Sequence, residues 1–234
     1  MAGAVFFRIR SFAPLPVIFV VMANAWRSHV HPGPGGAQVD HLLNFVGLGL
    51  CGLGALIRFV TVGFIPAGTS STSRALSSHA LNTGGPYAIV RHPLYLGNLF
   101  ITVGLLCIAH EPWAWTLGFG YFLVSHALII RAEERLLRRT FGAAWDEWAA
   151  RVPGWVPKLS ALKALQGPFA WKRAVQREVN PLVGWGMGAT LLLMWESFAR
   201  TELTSELGRR GLLLLAGFLV LLIANKVWKK WSRA

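Results

Sequence analysis

Charge is scarce in this chain, and negative charge most of all. Only 14% of the 234 residues are charged, and 10 Asp plus Glu stand against 23 Lys plus Arg. A soluble domain carries roughly 25% charged residues, so the composition argues against a water-soluble protein. Cysteine is nearly absent: Cys51 and Cys107 are the two in the chain. Both sit in apolar runs, form no Cys-x-x-Cys pair and lie near no histidine cluster. That argues against a disulfide scaffold or a cysteine metal site and leaves two small apolar side chains in buried helices. Zinc-finger spacing and interleaved aromatic and basic residues are also missing, so the net charge of +13 has no nucleic-acid motif behind it. His29, His31, His41, His110 and His126 lack metal-ligand spacing, and no metal is expected.

Hydrophobic residues make up 54% of the chain, with a mean hydropathy of +0.48. A membrane-crossing helix needs about 20 mostly apolar residues. Six segments qualify as candidates: 12–26, 41–66, 93–109, 113–132, 181–198 and 211–228. The fold class expected is therefore all-α, a polytopic integral membrane protein with about six transmembrane helices. The first segment is short and holds Pro14 and Pro16. Arg8 and Arg10 precede it, and Ala23-Asn24-Ala25 resembles a signal-cleavage site; we read it as an uncleaved helix. The second holds Gly47, Gly49, Gly52 and Gly54, which let a neighbouring backbone approach. It also holds Arg58, which either snorkels to the interface or contacts a bound polar group. His110, Glu111 and Pro112 alone separate the third and fourth segments, which predicts a tight antiparallel hairpin. Gly184 and Gly188 form a GxxxG pair in the fifth.

Between the fourth and fifth segments the pattern changes. Leu137, Phe141, Trp145 and Trp148 recur with helical spacing, which predicts an amphipathic helix over 133–150 lying at the membrane surface. A Pro- and Gly-containing linker follows over 152–168. Three units result: a first segment and outer loop over 1–40, a membrane core with a cytoplasmic site over 41–165, and a linker with two further helices over 166–234. With both termini in the cytoplasm, 18 Lys and Arg fall on the inner side. Arg27, Arg200, Arg209 and Arg210 fall outside, and Arg58 within the membrane. Basic residues collect on the cytoplasmic face and meet anionic lipid heads, so this orientation is expected, in a bacterial inner membrane.

The same face gathers the polar residues. One run reads His79-Ala80-Leu81-Asn82-Thr83-Gly84-Gly85-Pro86-Tyr87, then Arg91-His92-Pro93-Leu94-Tyr95-Leu96-Gly97. A second holds Glu133-Glu134, Phe141-Gly142, Trp145, Trp148 and Arg151-Val152-Pro153. Pro93 suits a first helical position, because the N–H it lacks has no partner there. Arg91, His92, Tyr95, Glu133 and Glu134 then converge at the mouth of one helical hairpin. Helix N-terminal N–H groups attract a carboxylate. Paired carboxylates attract a cation or accept ribose hydroxyls. A zwitterionic, cationic, ribose-bearing cofactor suits both. Gly84 and Gly85 would let the backbone approach it.

The run from His79 to Gly97, with Glu133-Glu134, Phe141-Gly142 and Val152-Pro153 in that order, closely resembles the superfamily of isoprenylcysteine carboxyl methyltransferases and phospholipid methyltransferases. The resemblance covers residues 58–157. It implies S-adenosylmethionine as cofactor, lined by Leu81, Gly85, Tyr87, His92, Pro93, Tyr95, Glu133 and Glu134. It implies catalytic roles for Arg91, before His-Pro, and for Arg151, before Val-Pro. It also implies a lipidic or amphiphilic acceptor, methylated on a carboxylate or an amine. Trp145 and Trp148 stand where Tyr is usual, Asn82 where the carboxyl-methylating branch has Val, and the next proline after Pro153 is Pro157. These departures bear on the acceptor more than on the cofactor.

Plainer readings stand beside this one. Arg91 and His92 suit a lipid-phosphate anchor, Glu134 suits an exposed pair with Arg138 four residues on, and Tyr87 and Tyr95 suit an interfacial belt. A sterol-reductase-type NADPH enzyme shares the hairpin and the Val-Pro ending, but a nucleotide phosphate disfavours two adjacent carboxylates. A non-enzymatic membrane accessory protein is the third alternative. Glu196, near the outer end of the fifth segment, has no evident role.

Overall fold

A computed structural model of the chain describes residues 36–65, 80–199 and 206–232. The expected first segment at 12–26 lies outside them, as do His29, His31, Arg74 and His79. The described residues form an all-helical bundle. Helix α1 is Gly36–Phe64, α2 is Pro93–Ala109 and α3 is the continuous helix Pro112–Phe141. Helix α4 is Ala143–Arg151, α5 is Trp171–Ala199 and α6 is Glu206–Trp231. Three of them, α1, α3 and α6, are long and apolar enough to cross a membrane, while α2 is apolar but only 17 residues long. The protein is an integral membrane protein with three such spans among its described residues.

Helices α1 and α2 pack closely because glycine faces glycine. A methyl on Gly47 would sit 2.6 Å from the Gly104 carbonyl oxygen, and one on Gly54 would strike the Gly97 carbonyl. The two pairs are two helical turns apart and run in opposite directions, so the helices are antiparallel with backbones in contact. Gly49 and Gly52 face open space, so two of the four expected glycines make the seam. On the outward side Phe45 is 78% exposed, the placement of a side chain that meets lipid. The enclosed core combines Ile101, Leu106 and Ile108 of α2 with Ala189 and Leu192 of α5.

The hairpin between α2 and α3 turns at His110, which takes the left-handed conformation, φ 54°, and caps α2. Helix α3 opens with a π-helical turn over Trp115–Phe119. The amphipathic segment expected at 133–150 is not one helix. Its first part continues α3, and Gly142, at φ 52°, breaks it from α4. Only glycine takes that conformation without a Cβ penalty. The bend folds the periodic apolar face onto itself: Trp145, Trp148 and Val152 are buried against Leu137, Phe141, Leu81 and Tyr87.

Pro181 does not begin the fifth helix. It lies inside α5, which starts ten residues earlier, at Trp171. Proline costs one backbone hydrogen bond, and tertiary contacts hold the preceding stretch. Asn225 of α6 donates to the Gln176 carbonyl at 3.2 Å and to Asn180 Oδ1 at 2.8 Å. Gly184 faces open space, whereas a Cβ on Gly186 would meet Phe218 of α6, and one on Gly211 of α6 would meet Met194 of α5, so these two glycines make close α5–α6 contacts.

Arg58 is held by protein side chains. Its Nε and Nη2 donate to both carboxylate oxygens of Glu178, at 2.9 and 3.0 Å, and its Nη1 donates to Asn98 Oδ1 at 2.7 Å. A planar guanidinium suits a two-pronged carboxylate, and here it ties α1, α2 and α5 together. A cavity of about 210 Å³ opens beside this pair, lined also by Leu56, Phe59, Leu182 and Trp185.

Candidate active site

The loop into α2 is shaped by one short turn. Gly85–Ala88 forms a single 3-10 turn, with Gly85 at φ 56°. A Cβ on Gly85 would lie 2.8 Å from Phe64 Cβ, while one on Gly84 would meet nothing. Gly85 therefore packs on the end of α1, and Gly84 holds the open face. The turn delivers Tyr87 into the Trp145–Trp148 cluster, beside Leu81. Burial pushes the Tyr87 phenol well above its ordinary range, and the charge of Glu133 adds to the effect. Tyr87 stays a hydrogen-bond donor at neutral pH.

Two backbone bonds stitch this loop to the segment after α4. The Arg91 N–H donates to the Pro153 carbonyl at 2.8 Å, and the Lys158 N–H donates to the Ile89 carbonyl at 3.0 Å. Gly154 lies against the Arg91 guanidinium, with space for a Cβ only 3.2 Å from Nη2. Pro153 and Gly154 thus position Arg91. The Val-Pro motif signalled the place but not the bond.

Across the hairpin mouth the side chains pair. Arg91 Nη1 lies 3.2 Å from Glu134 Oε1, and His92 Nε2 lies 2.9 Å from the same oxygen. Tyr95 donates its hydroxyl to Glu133 Oε2 at 3.0 Å. Helical side chains tilt toward the N-terminus of their own helix. Tyr95, near the start of α2, leans out of the hairpin, and Glu133, near the end of α3, leans back into it. The Tyr95 ring also stands edge-on to His126, with centroids 5.5 Å apart. His126, which showed no metal-ligand spacing in the sequence, lies two turns before Glu133 on α3 and so shares its face.

Leu81, Tyr87, Arg91, His92, Pro93, Tyr95, Glu133 and Glu134 are therefore brought together. Arg151 is not. It is exposed, its Nε donates to the Glu147 carbonyl at 3.2 Å, and no bond among the described residues joins it to Arg91. Glu134 does not pair with Arg138 either; Arg138 is held by Asp146 at 2.9 Å.

The arrangement can receive a cationic, zwitterionic ligand. Each glutamate engages its tyrosine, histidine or arginine partners through one oxygen, which leaves the second as an acceptor. Arg91 Nε is buried with no hydrogen-bond partner among the described residues, a donor that suits a carboxylate. The residues present fit the cation and hydroxyls of S-adenosylmethionine, which Glu133 and Glu134 would face, and leave Arg91 as a donor for a second, anionic ligand.

Comparison with known proteins points the same way. Residues 42–144 match the phospholipid methyltransferase family. Protein-S-isoprenylcysteine O-methyltransferase B of Arabidopsis thaliana is 36% identical over 131 residues, covering 53% of this chain and 64% of that one. The nickel-cobalt-cadmium resistance protein NccN of Alcaligenes xylosoxydans xylosoxydans is 31% identical over 123 residues, 53% of this chain and 57% of that one. Methanethiol S-methyltransferase 2 of Bradyrhizobium diazoefficiens is 30% identical over 135 residues, 53% and 50%. The chain spans between half and two thirds of the length of these relatives. No solved structure matches. The segment 42–144, which contains every site residue but Arg151, is similar to the phospholipid methyltransferase family and to isoprenylcysteine carboxyl methyltransferases.

Proposed function

We propose that this chain is a membrane-embedded, S-adenosylmethionine-dependent methyltransferase whose acceptor is lipidic or strongly amphiphilic and enters from the bilayer. One observation carries the reading: Arg91 and His92 share Glu134, and Tyr95 holds Glu133, at the mouth of the α2–α3 hairpin. S-adenosylmethionine held by these residues would supply a sulfonium methyl for direct displacement by the acceptor, with S-adenosylhomocysteine as leaving group. The protein's part is to orient and to exclude water. Glu133 and Glu134 favour a positive ligand. Tyr87 keeps its proton and can donate. The Trp145–Trp148 cluster packs against Leu81 and Tyr87 and would shield that side of the site from water.

Arg91 is the group we assign to an anionic acceptor, a carboxylate held through the guanidinium edge. Arg151 would have to leave the Glu147 carbonyl to join it. An amine acceptor would need a base, and His92 or a glutamate is the candidate nearby. The excess of Lys and Arg on the side of the site supports a cytoplasmic position for the site and both chain termini. Two adjacent carboxylates oppose a nucleotide phosphate, which disfavours an NADPH reductase, and the paired site disfavours an accessory protein without activity.

Membranes containing the protein should be incubated with methyl-labelled S-adenosylmethionine and partitioned between lipid and water. Label should enter the lipid phase. Methanol released by mild base identifies a methyl ester, and base-stable label an N-methyl product. Label confined to small water-soluble products would refute a lipidic acceptor.

A further inference from the structure

At the end of the bundle opposite Arg91 and Glu134, three helices bring one histidine and two carboxylates together. Asp40 lies just past the first turn of α1, His110 caps α2, and Glu196 lies in the last turn of α5. Their ligand atoms all lie within 4.8 Å of one another. His110 Nδ1 is 3.7 Å from Asp40 Oδ1 and 3.9 Å from Glu196 Oε1. Asp40 is 1% exposed, and the His110 and Glu196 side chains are 11% and 19% exposed.

We infer that Asp40, His110 and Glu196 form a binding site for one divalent transition-metal cation, of the zinc or cobalt kind. Both histidine–carboxylate separations are too long for hydrogen bonds. They approach the roughly 3.4 Å edge of a tetrahedron built on metal–ligand bonds of about 2.1 Å. One imidazole nitrogen carries a single proton and cannot serve two carboxylates, whereas a cation between the three atoms serves all of them. Two carboxylates at one spot, one buried and one half-buried, repel each other, and a divalent charge offsets that repulsion. A mixed imidazole and carboxylate set suits first-row divalent metals.

The surroundings support a built site. Asn44, one turn along α1, donates to the second oxygen of Glu196 at 2.8 Å, the kind of outer contact that orients a ligating carboxylate. Asn44 Oδ1 and His110 Nε2 are both buried with no hydrogen-bond partner among the described residues. The sequence showed no ligand spacing here, because the three residues are 70 and 86 positions apart along the chain. The site is remote from the hairpin mouth, so its test reads metal and not methyl transfer.

The detergent-extracted full chain should be stripped with a chelator, freed of it and titrated with cobalt(II). One cobalt per chain is expected, with a visible absorption band that zinc(II) displaces. Excess zinc should raise the unfolding temperature by about 5 °C. The isosteric double variant Asp40→Asn with Glu196→Gln should bind at least about tenfold more weakly and lose that rise. Replacing the exposed His41 by Asn should change neither. His110→Gln repeats the test should the double variant fail to elute as a single folded species. Absence of uptake by the parent chain, or a folded variant that titrates like the parent, overturns the assignment.

Discussion

The backbone N–H of Arg91 donates to the carbonyl of Pro153 at 2.8 Å. The two residues are far apart in sequence, and that one bond holds the loop before α2 against the segment after α4. The Arg91 guanidinium is thereby directed over Gly154 and toward Glu134. A backbone bond sets the loop whatever the side chain, so the side chain can be varied without losing the loop.

Arg91→Lys should therefore fold and lose most activity. The ammonium keeps the charge but offers no planar pair of donors. A charge-assisted hydrogen bond contributes about 1.5–3 kcal/mol, which corresponds to a loss of about 10- to 100-fold in methyl-transfer rate. Rates equal to the parent would make Arg91 an anchor at the interface only.

Replacing Glu133 and Glu134 together by Ala should weaken S-adenosylmethionine binding by at least about tenfold. Both carboxylates would be gone, and Arg91, His92 and Tyr95 would each lose a partner. Titration calorimetry on the extracted protein measures this. Unchanged affinity in a folded double variant would sink the cofactor assignment.

Gly54→Ala should destabilise the bundle by about 1–3 kcal/mol, seen as a lower unfolding temperature in detergent. Its methyl would strike the Gly97 carbonyl, which is backbone and cannot swing aside. Gly49→Ala, with nothing nearby, should stay within about 1 kcal/mol of the parent. Equal effects at the two positions would refute the glycine seam.

Arg58→Ala should cost about 3–5 kcal/mol, because it leaves Glu178 buried without its partner. The double replacement Arg58→Met with Glu178→Leu should recover most of that loss, since two apolar side chains need no partner. Thermal unfolding of both variants decides it. A double variant as unstable as the single one would show that Arg58 acts through Asn98 rather than Glu178.

The helix-forming segments at α1, α2, α3 and α6 were legible because apolar length is a one-dimensional property. A run of about 20 residues without charge has few other stable destinations. The hairpin mouth was legible for a related reason. A turn of three residues leaves adjacent helices no alternative but to pair, so residues near the free ends of α2 and α3 must meet. Arg151 was placed with the site by motif alone; its side chain is exposed and its Nε is held by the Glu147 carbonyl of its own helix.

What the chain order alone determined was therefore local: helical length, the tight turn at His110, and the grouping of Arg91, His92, Tyr95, Glu133 and Glu134. Tertiary structure decided the contacts between helices distant in sequence. Arg58 found Glu178 120 positions away, α5 ran through Pro181 because Asn225 supports its first turns, and Asp40 met His110 and Glu196. Such pairings carry no periodicity or spacing signal. They arise when buried polar groups, denied water, are satisfied by whichever element packing brings within reach.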